Sequence, residues 1–126
     1  DRVRATIDAI VKTGAEVVRD MSTDILSING ELTASIVVAR CLVTRGGRLR
    51  WKIRFDTGLR PDITVALRMA ADNRQVLDYY LLPRLDFPAG RLRLSEENEF
   101  SIDAYRVDTL QPFFDLTARS SIRRAA

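Results

Sequence analysis

The alternation of apolar and polar positions predicts a helix first and strands after it. Val3, Ile7, Ile10 and Val11 recur at helical spacing, and Gly14 follows where a helix-ending glycine belongs, so residues 2–13 read as a short amphipathic helix. AEVV (15–18) and DILSI (24–28) are short strand candidates, and Asn29-Gly30 predicts a hairpin because both residues tolerate the positive φ of tight turns. LTASIVVARCLVT (32–44) is apolar on both faces except at Arg40, which predicts one central strand covered on both sides. Beyond the Gly46-Gly47 turn, RLRWKIRF (48–55) alternates strictly and should run back along it as a second hairpin. ITVALRMA (63–70), QVLDYYLLP (75–83), RLRL (91–94) and FSIDAY (100–105) continue as strands, and residues 108–119 return to helical spacing with Asp108 or Thr109 as N-cap. The expected fold is α+β, an antiparallel meander sheet of about six strands with an N-terminal and a C-terminal helix packed over Trp51 and Phe55.

Composition acts mainly by exclusion. The 126 residues fit a single domain, 1–126, and the opening at Asp1 directly into a helix suggests a segment of a longer protein. No apolar run reaches the roughly 18 residues of a membrane span, the first residues lack a signal-peptide layout, and a single cysteine forms no internal disulfide, so a cytoplasmic setting is expected. With no histidine, imidazole bases and His metal sites are excluded, and Cys41 sits in an apolar run as a small hydrophobe. No cofactor and no metal is expected. The net charge is only +3, but 18 of the 20 basic residues are Arg. That bias fits either phosphate recognition, which suits the guanidinium fork, or a GC-rich coding bias.

Placement of the arginines gives the first candidate site. Strict alternation sends Arg48, Arg50, Lys52 and Arg54 to one face and Leu49, Trp51, Ile53 and Phe55 to the other. Same-face side chains repeat at about 6.6 to 7 Å, close to the spacing of phosphates along a strand of nucleic acid. Arg91 and Arg93 on a neighbouring strand, with Arg40 nearby, would widen the patch. Such a face gives salt-dependent contact to the phosphate backbone with little sequence preference. Trp51 and Phe55 point to the apolar side, which favours duplex backbone over base stacking. The competing reading is a solvated strand whose cations discourage edge-to-edge aggregation and pair with acids next door.

A second constellation, Pro61-Asp62 with Asp78-Tyr79-Tyr80 and Glu16 as a third acid, faintly resembles the PD-(D/E)xK nuclease signature. Tyr80 stands where that signature has its lysine. In a hairpin turning at Asp72-Asn73, Asp62 falls opposite Leu82 or Pro83 and Asp78 opposite Leu67 or Arg68, roughly 15 Å or more apart. Otherwise Asp62 merely begins a strand and Asp78 faces solvent. The acidic turn Glu96, Glu97, Glu99 reads as a solvated loop or as a docking point for a basic partner.

LRWKIRFDTGLRPDITVALRM, LDYYLLPRLD and LRLSEENEFSIDAYRVDTL resemble an accessory segment of alphaproteobacterial site-specific recombinase and mobile-element proteins, over residues 28–126. The resemblance implies a DNA-associated accessory role in bacteria and carries over no catalytic residue. Three functions follow from these readings, in order of preference. The first is a non-catalytic nucleic-acid-associated domain with DNA as partner. The second is a protein-interaction or homo-oligomerisation module, and the third a divergent PD-(D/E)xK-like nuclease.

Overall fold

A computed structural model describes residues 2–55, 60–87, 91–95 and 99–110. The helix α1 spans Arg2–Lys12, with Ile10 fully buried and the Thr6 hydroxyl donating back to the Arg2 carbonyl at 2.7 Å. It ends at Gly14, whose φ of 102° is cheap only for glycine. At its start the Arg2 guanidinium donates to the Asn73 carbonyl at 2.6 Å, tying the helix to a distant turn.

Nine strands follow: β1 (Val17–Arg19), β2 (Leu26–Ile28), β3 (Leu32–Ala39), β4 (Cys41–Val43), β5 (Leu49–Arg54), β6 (Ile63–Met69), β7 (Val76–Pro83), β8 (Arg91–Ser95) and β9 (Arg106–Val107). They form a six-stranded sheet in the order β1-β2-β3-β6-β7-β9 and a three-stranded sheet in the order β4-β5-β8. The fold is α+β with a mostly antiparallel six-stranded sheet and an N-terminal helix, as the sequence pattern predicts. The C-terminal helix expected over 108–119 falls from residue 111 onward outside the described residues, as do Glu96 and Glu97 of the acidic turn.

Three expectations need correction. The 32–44 run is not one central strand. It breaks at the exposed Arg40, after which β4 leaves for the second sheet, where Leu42 and Val43 are exposed. The sheet is not a pure meander either, because β3 pairs with β6 in parallel, from Ala34 opposite Ile63 to Ala39 opposite Arg68. Parallel neighbours need a crossover connection, and here the β4–β5 hairpin supplies it, which is what lays the small sheet across the large one. Last, FSIDAY is not a strand: Glu99–Tyr105 forms 3₁₀ turns that meet at a kink at Ile102.

The layers explain the burial pattern. All seven residues of β6 are buried, so it is the central strand with both faces covered. Ile63, Val65, Leu67 and Met69 join Ile10, Leu26, Ile28 and Leu81 in the core beneath α1. Ala66 faces the other way, with Tyr80 and Leu82, into a second core with Trp51, Ile53, Phe55, Leu94 and Ile102. Trp51 and Phe55 are therefore covered by the large sheet and the 3₁₀ segment, not by α1.

Two polar details hold the sheets in place. Asn73, at a φ of 55° in the β6–β7 turn, brackets Cys41: its Oδ1 accepts from the Cys41 N–H at 2.7 Å and its Nδ2 donates to the Cys41 carbonyl at 3.0 Å. The side-chain amide thus stands in for a strand partner where the chain changes sheets. The Trp51 indole N–H donates to the Met69 carbonyl at 2.8 Å across the second core.

Candidate nucleic-acid interface

The small sheet presents its apolar face inward and its cations outward. Trp51, Ile53 and Phe55 are buried, whereas Arg48, Arg50 and Arg54 are exposed and Lys52 is half-buried. The register sets Lys52 opposite Arg93, which is exposed, Arg54 opposite Arg91, and Arg50 opposite Leu42 on one side and Ser95 on the other. Arg48, Arg50, Lys52, Arg54 and Arg93 thus share one surface, and Arg91 holds the adjoining register position. Like charges directly across a strand pair repel, so the face is built at some cost in stability. No described carboxylate lies within ion-pair distance of Arg50, Lys52 or Arg54.

The charge of the whole chain is divided accordingly. Residues 40–54 and 91–95 contain eight of the 20 basic residues and none of the 17 acidic ones, so they carry +8 while the rest carries −5.

Beneath the face lies a charged pair that the sequence reading missed. Arg68 on β6 donates to both oxygens of Asp78 on β7, Nε to Oδ1 at 2.8 Å and Nη2 to Oδ2 at 2.6 Å, and both side chains are buried. The guanidinium carbon also lies 4.8 Å from the centre of the Trp51 ring. Asp78 accordingly does not face solvent, as its alternation suggested. Arg106 approaches it at 3.5 Å and pairs with Asp103 at 2.8 Å, an arrangement that raises the Arg106 pKa, chiefly through the Asp103 hydrogen bond. The signal was present in the sequence, since the hairpin register already set opposite charges across from one another.

The acidic constellation does not assemble. Asp62 precedes β6, where Ile63 pairs with Pro83, while Asp78 pairs with Arg68; six residue rises of about 3.3 Å separate them, about 20 Å. Asp62 is committed elsewhere, its Oδ2 accepting from the Thr33 amide at 3.0 Å and hydroxyl at 3.1 Å, which clamps the start of β3 to the start of β6. Glu16 is exposed at the start of β1, two strands away from β3. Among the described residues no three Asp, Glu, Cys or His side chains gather as a metal site would require. A cleft of about 430 Å³ opens beside Ser27, Thr33 and Arg60, and its ionisable lining is Asp20 and Arg60. The Asp20 pKa is lowered by its hydrogen bonds from the Ser22 hydroxyl and amide, so that carboxylate is already engaged in a turn.

The fold is shared with a bacterial homing endonuclease. That solved structure, I-Ssp6803I, superposes with a TM-score of 0.59 and 17% sequence identity over 97% of this chain and 90% of that one. At this identity the likeness is one of fold. The sequence matches no family model and no curated protein. Among the described residues no helix is long and apolar enough to cross a membrane.

Proposed function

We propose that this chain is a duplex-DNA-binding domain that holds the phosphate backbone with the outer face of β4-β5-β8. The observation that carries this reading is the concentration of positive charge on one sheet face, with Arg48, Arg50, Lys52, Arg54 and Arg93 as contacts and Arg91 beside them. Neutralising several phosphates releases their counterions, which supplies affinity without sequence preference. The face carries no aromatic side chain among its described residues, which favours paired over single-stranded DNA. A fold in common with a homing endonuclease supports a DNA-associated role, and so does the resemblance to mobile-element and recombinase accessory segments. The test is fluorescence anisotropy on a labelled duplex with the R50E/K52E variant. Weakened binding with an unchanged circular dichroism spectrum is expected, and unchanged binding would end the proposal.

A second reading, a magnesium-dependent nuclease, is favoured by the activity named for the structural neighbour. Glu16, Asp62 and Asp78 do not carry it, since oxygen ligands lie only about 2.1 Å from magnesium and a metal shared across about 20 Å is impossible. Incubation with supercoiled plasmid and Mg²⁺ separates the two readings: nicking abolished by EDTA supports cleavage, and intact plasmid supports binding alone.

A further inference from the structure

The outer half of the β4–β5 hairpin stands clear of the body of the protein. Cys41 and Trp51 face each other across its two strands and are buried in the second core. One residue further on, Leu42 is 56% exposed and Val43, which points the other way, is 62% exposed. Arg45, Gly46, Gly47 and Arg48 continue exposed around the tip, while Leu49 still rests against the core. The ribbon is held in shape along its length. The Thr44 amide donates to the Arg48 carbonyl at 2.9 Å, the Gly47 amide to the Thr44 carbonyl at 2.9 Å, and the Arg48 amide to the Thr44 hydroxyl at 3.2 Å. At its base the Asn73 side chain brackets Cys41. A two-stranded ribbon ordered in advance loses little freedom when it binds.

Leu42 sits on the same face as the cations. It lies directly opposite Arg50, and cross-strand partners share a face with their Cβ atoms about 4.5 to 5.5 Å apart. A duplex that meets Arg50 therefore meets the leucine too. Arg40 and Arg45 are exposed on either side of it in sequence, and residues 40–50 contain no acid. A surface made for phosphates alone has no use for an exposed leucine at its centre, but a base edge offers it one partner: the C5-methyl group that thymine displays in the major groove. That groove, about 12 Å wide, admits a two-stranded ribbon. We infer that the β4–β5 hairpin enters the major groove and lays Leu42 against a thymine methyl, while the flanking arginines hold the phosphates. The inference rests on the duplex-binding reading above and adds to it the base contact that phosphate binding lacks.

The test compares two duplexes by fluorescence anisotropy, one of alternating A and T and the other with uracil in place of every thymine, which removes only the C5-methyl groups. The parent protein should bind the thymine duplex about threefold more tightly, the scale of one buried methyl group. L42A should bind the uracil duplex as the parent does and the thymine duplex no more tightly than that, with an unchanged circular dichroism spectrum. L42I, which keeps an apolar side chain of the same size, should keep the preference. Equal binding of the two duplexes by the parent, or an undiminished preference in L42A, overturns the leucine contact and leaves the phosphate ladder intact. No binding of either duplex by the parent overturns both.

Discussion

Arg50 and Arg68 occupy strands written in much the same way, each an arginine among apolar neighbours, yet they live in opposite electrostatic worlds. Arg68 is buried, with both carboxylate oxygens of Asp78 on its guanidinium and the Trp51 ring beside it. Arg50 is exposed, flanked across the strands by Leu42 and Ser95. One is paired inside the protein and the other is open to solvent. The layering makes the difference: β6 is covered on both faces, whereas β5 is covered on one.

That contrast can be broken most severely at Asp78. Replacing it with alanine strands the Arg68 charge in the second core, and a loss of about 3 to 5 kcal/mol is expected in urea unfolding. Removing both charges together, as R68M/D78L, should cost far less or even stabilise, because neither buried charge then needs desolvation. If the single and double variants were equally destabilised, the pair would not be the source of the effect.

Asn73 comes next. N73A loses both hydrogen bonds to Cys41 and places alanine at a φ of 55°, so a loss of about 1 to 3 kcal/mol is expected, with N73G recovering part of it. A loss equal in N73A and N73G would assign the whole effect to the side-chain bonds. The ladder stands at the small end of this scale: R50E/K52E should change stability by no more than about 1 kcal/mol, because Arg50 is exposed and Lys52, though half-buried, would exchange a like charge opposite Arg93 for an opposite one. Smallest of all is the turn carboxylate of Asp20. Its pKa lies below the ordinary carboxylate value because Ser22 hydrogen-bonds its charged form. Its contribution is therefore present above the unfolded value and is lost as pH falls through the depressed folded one. An NMR titration of its carboxyl carbon should show that downward shift, and S22A should lessen it.

Much of this was legible in the sequence, and the misses share a cause. Alternation in 48–55 identified which residues of β5 turn inward, and Asn29-Gly30 marked the β2–β3 hairpin, since both signals depend on neighbours only a few residues apart. The break at Arg40 was hidden, because a run such as LTASIVVARCLVT reads alike whether it stays in one sheet or passes to a second. The parallel pairing of β3 with β6 and the bracket from Asn73 to Cys41 join segments about thirty residues apart and leave no periodic trace. Asp78 was misplaced for a related reason: alternation assigned it a face but did not show that this face meets another sheet. The exposure of Arg50 is likewise a tertiary fact, set by Ser95 and Leu42 rather than acids lying opposite it.

The central claim, that the outer face of β4-β5-β8 holds duplex phosphates, is tested most directly by the salt dependence of DNA binding. With four to six phosphates neutralised, log K against log salt concentration should fall with a slope between about −3.5 and −5.5. The R50E/K52E variant should show a shallower slope and weaker binding at every salt concentration. A parent slope near zero, or a slope and affinity unchanged in the variant, would contradict the account.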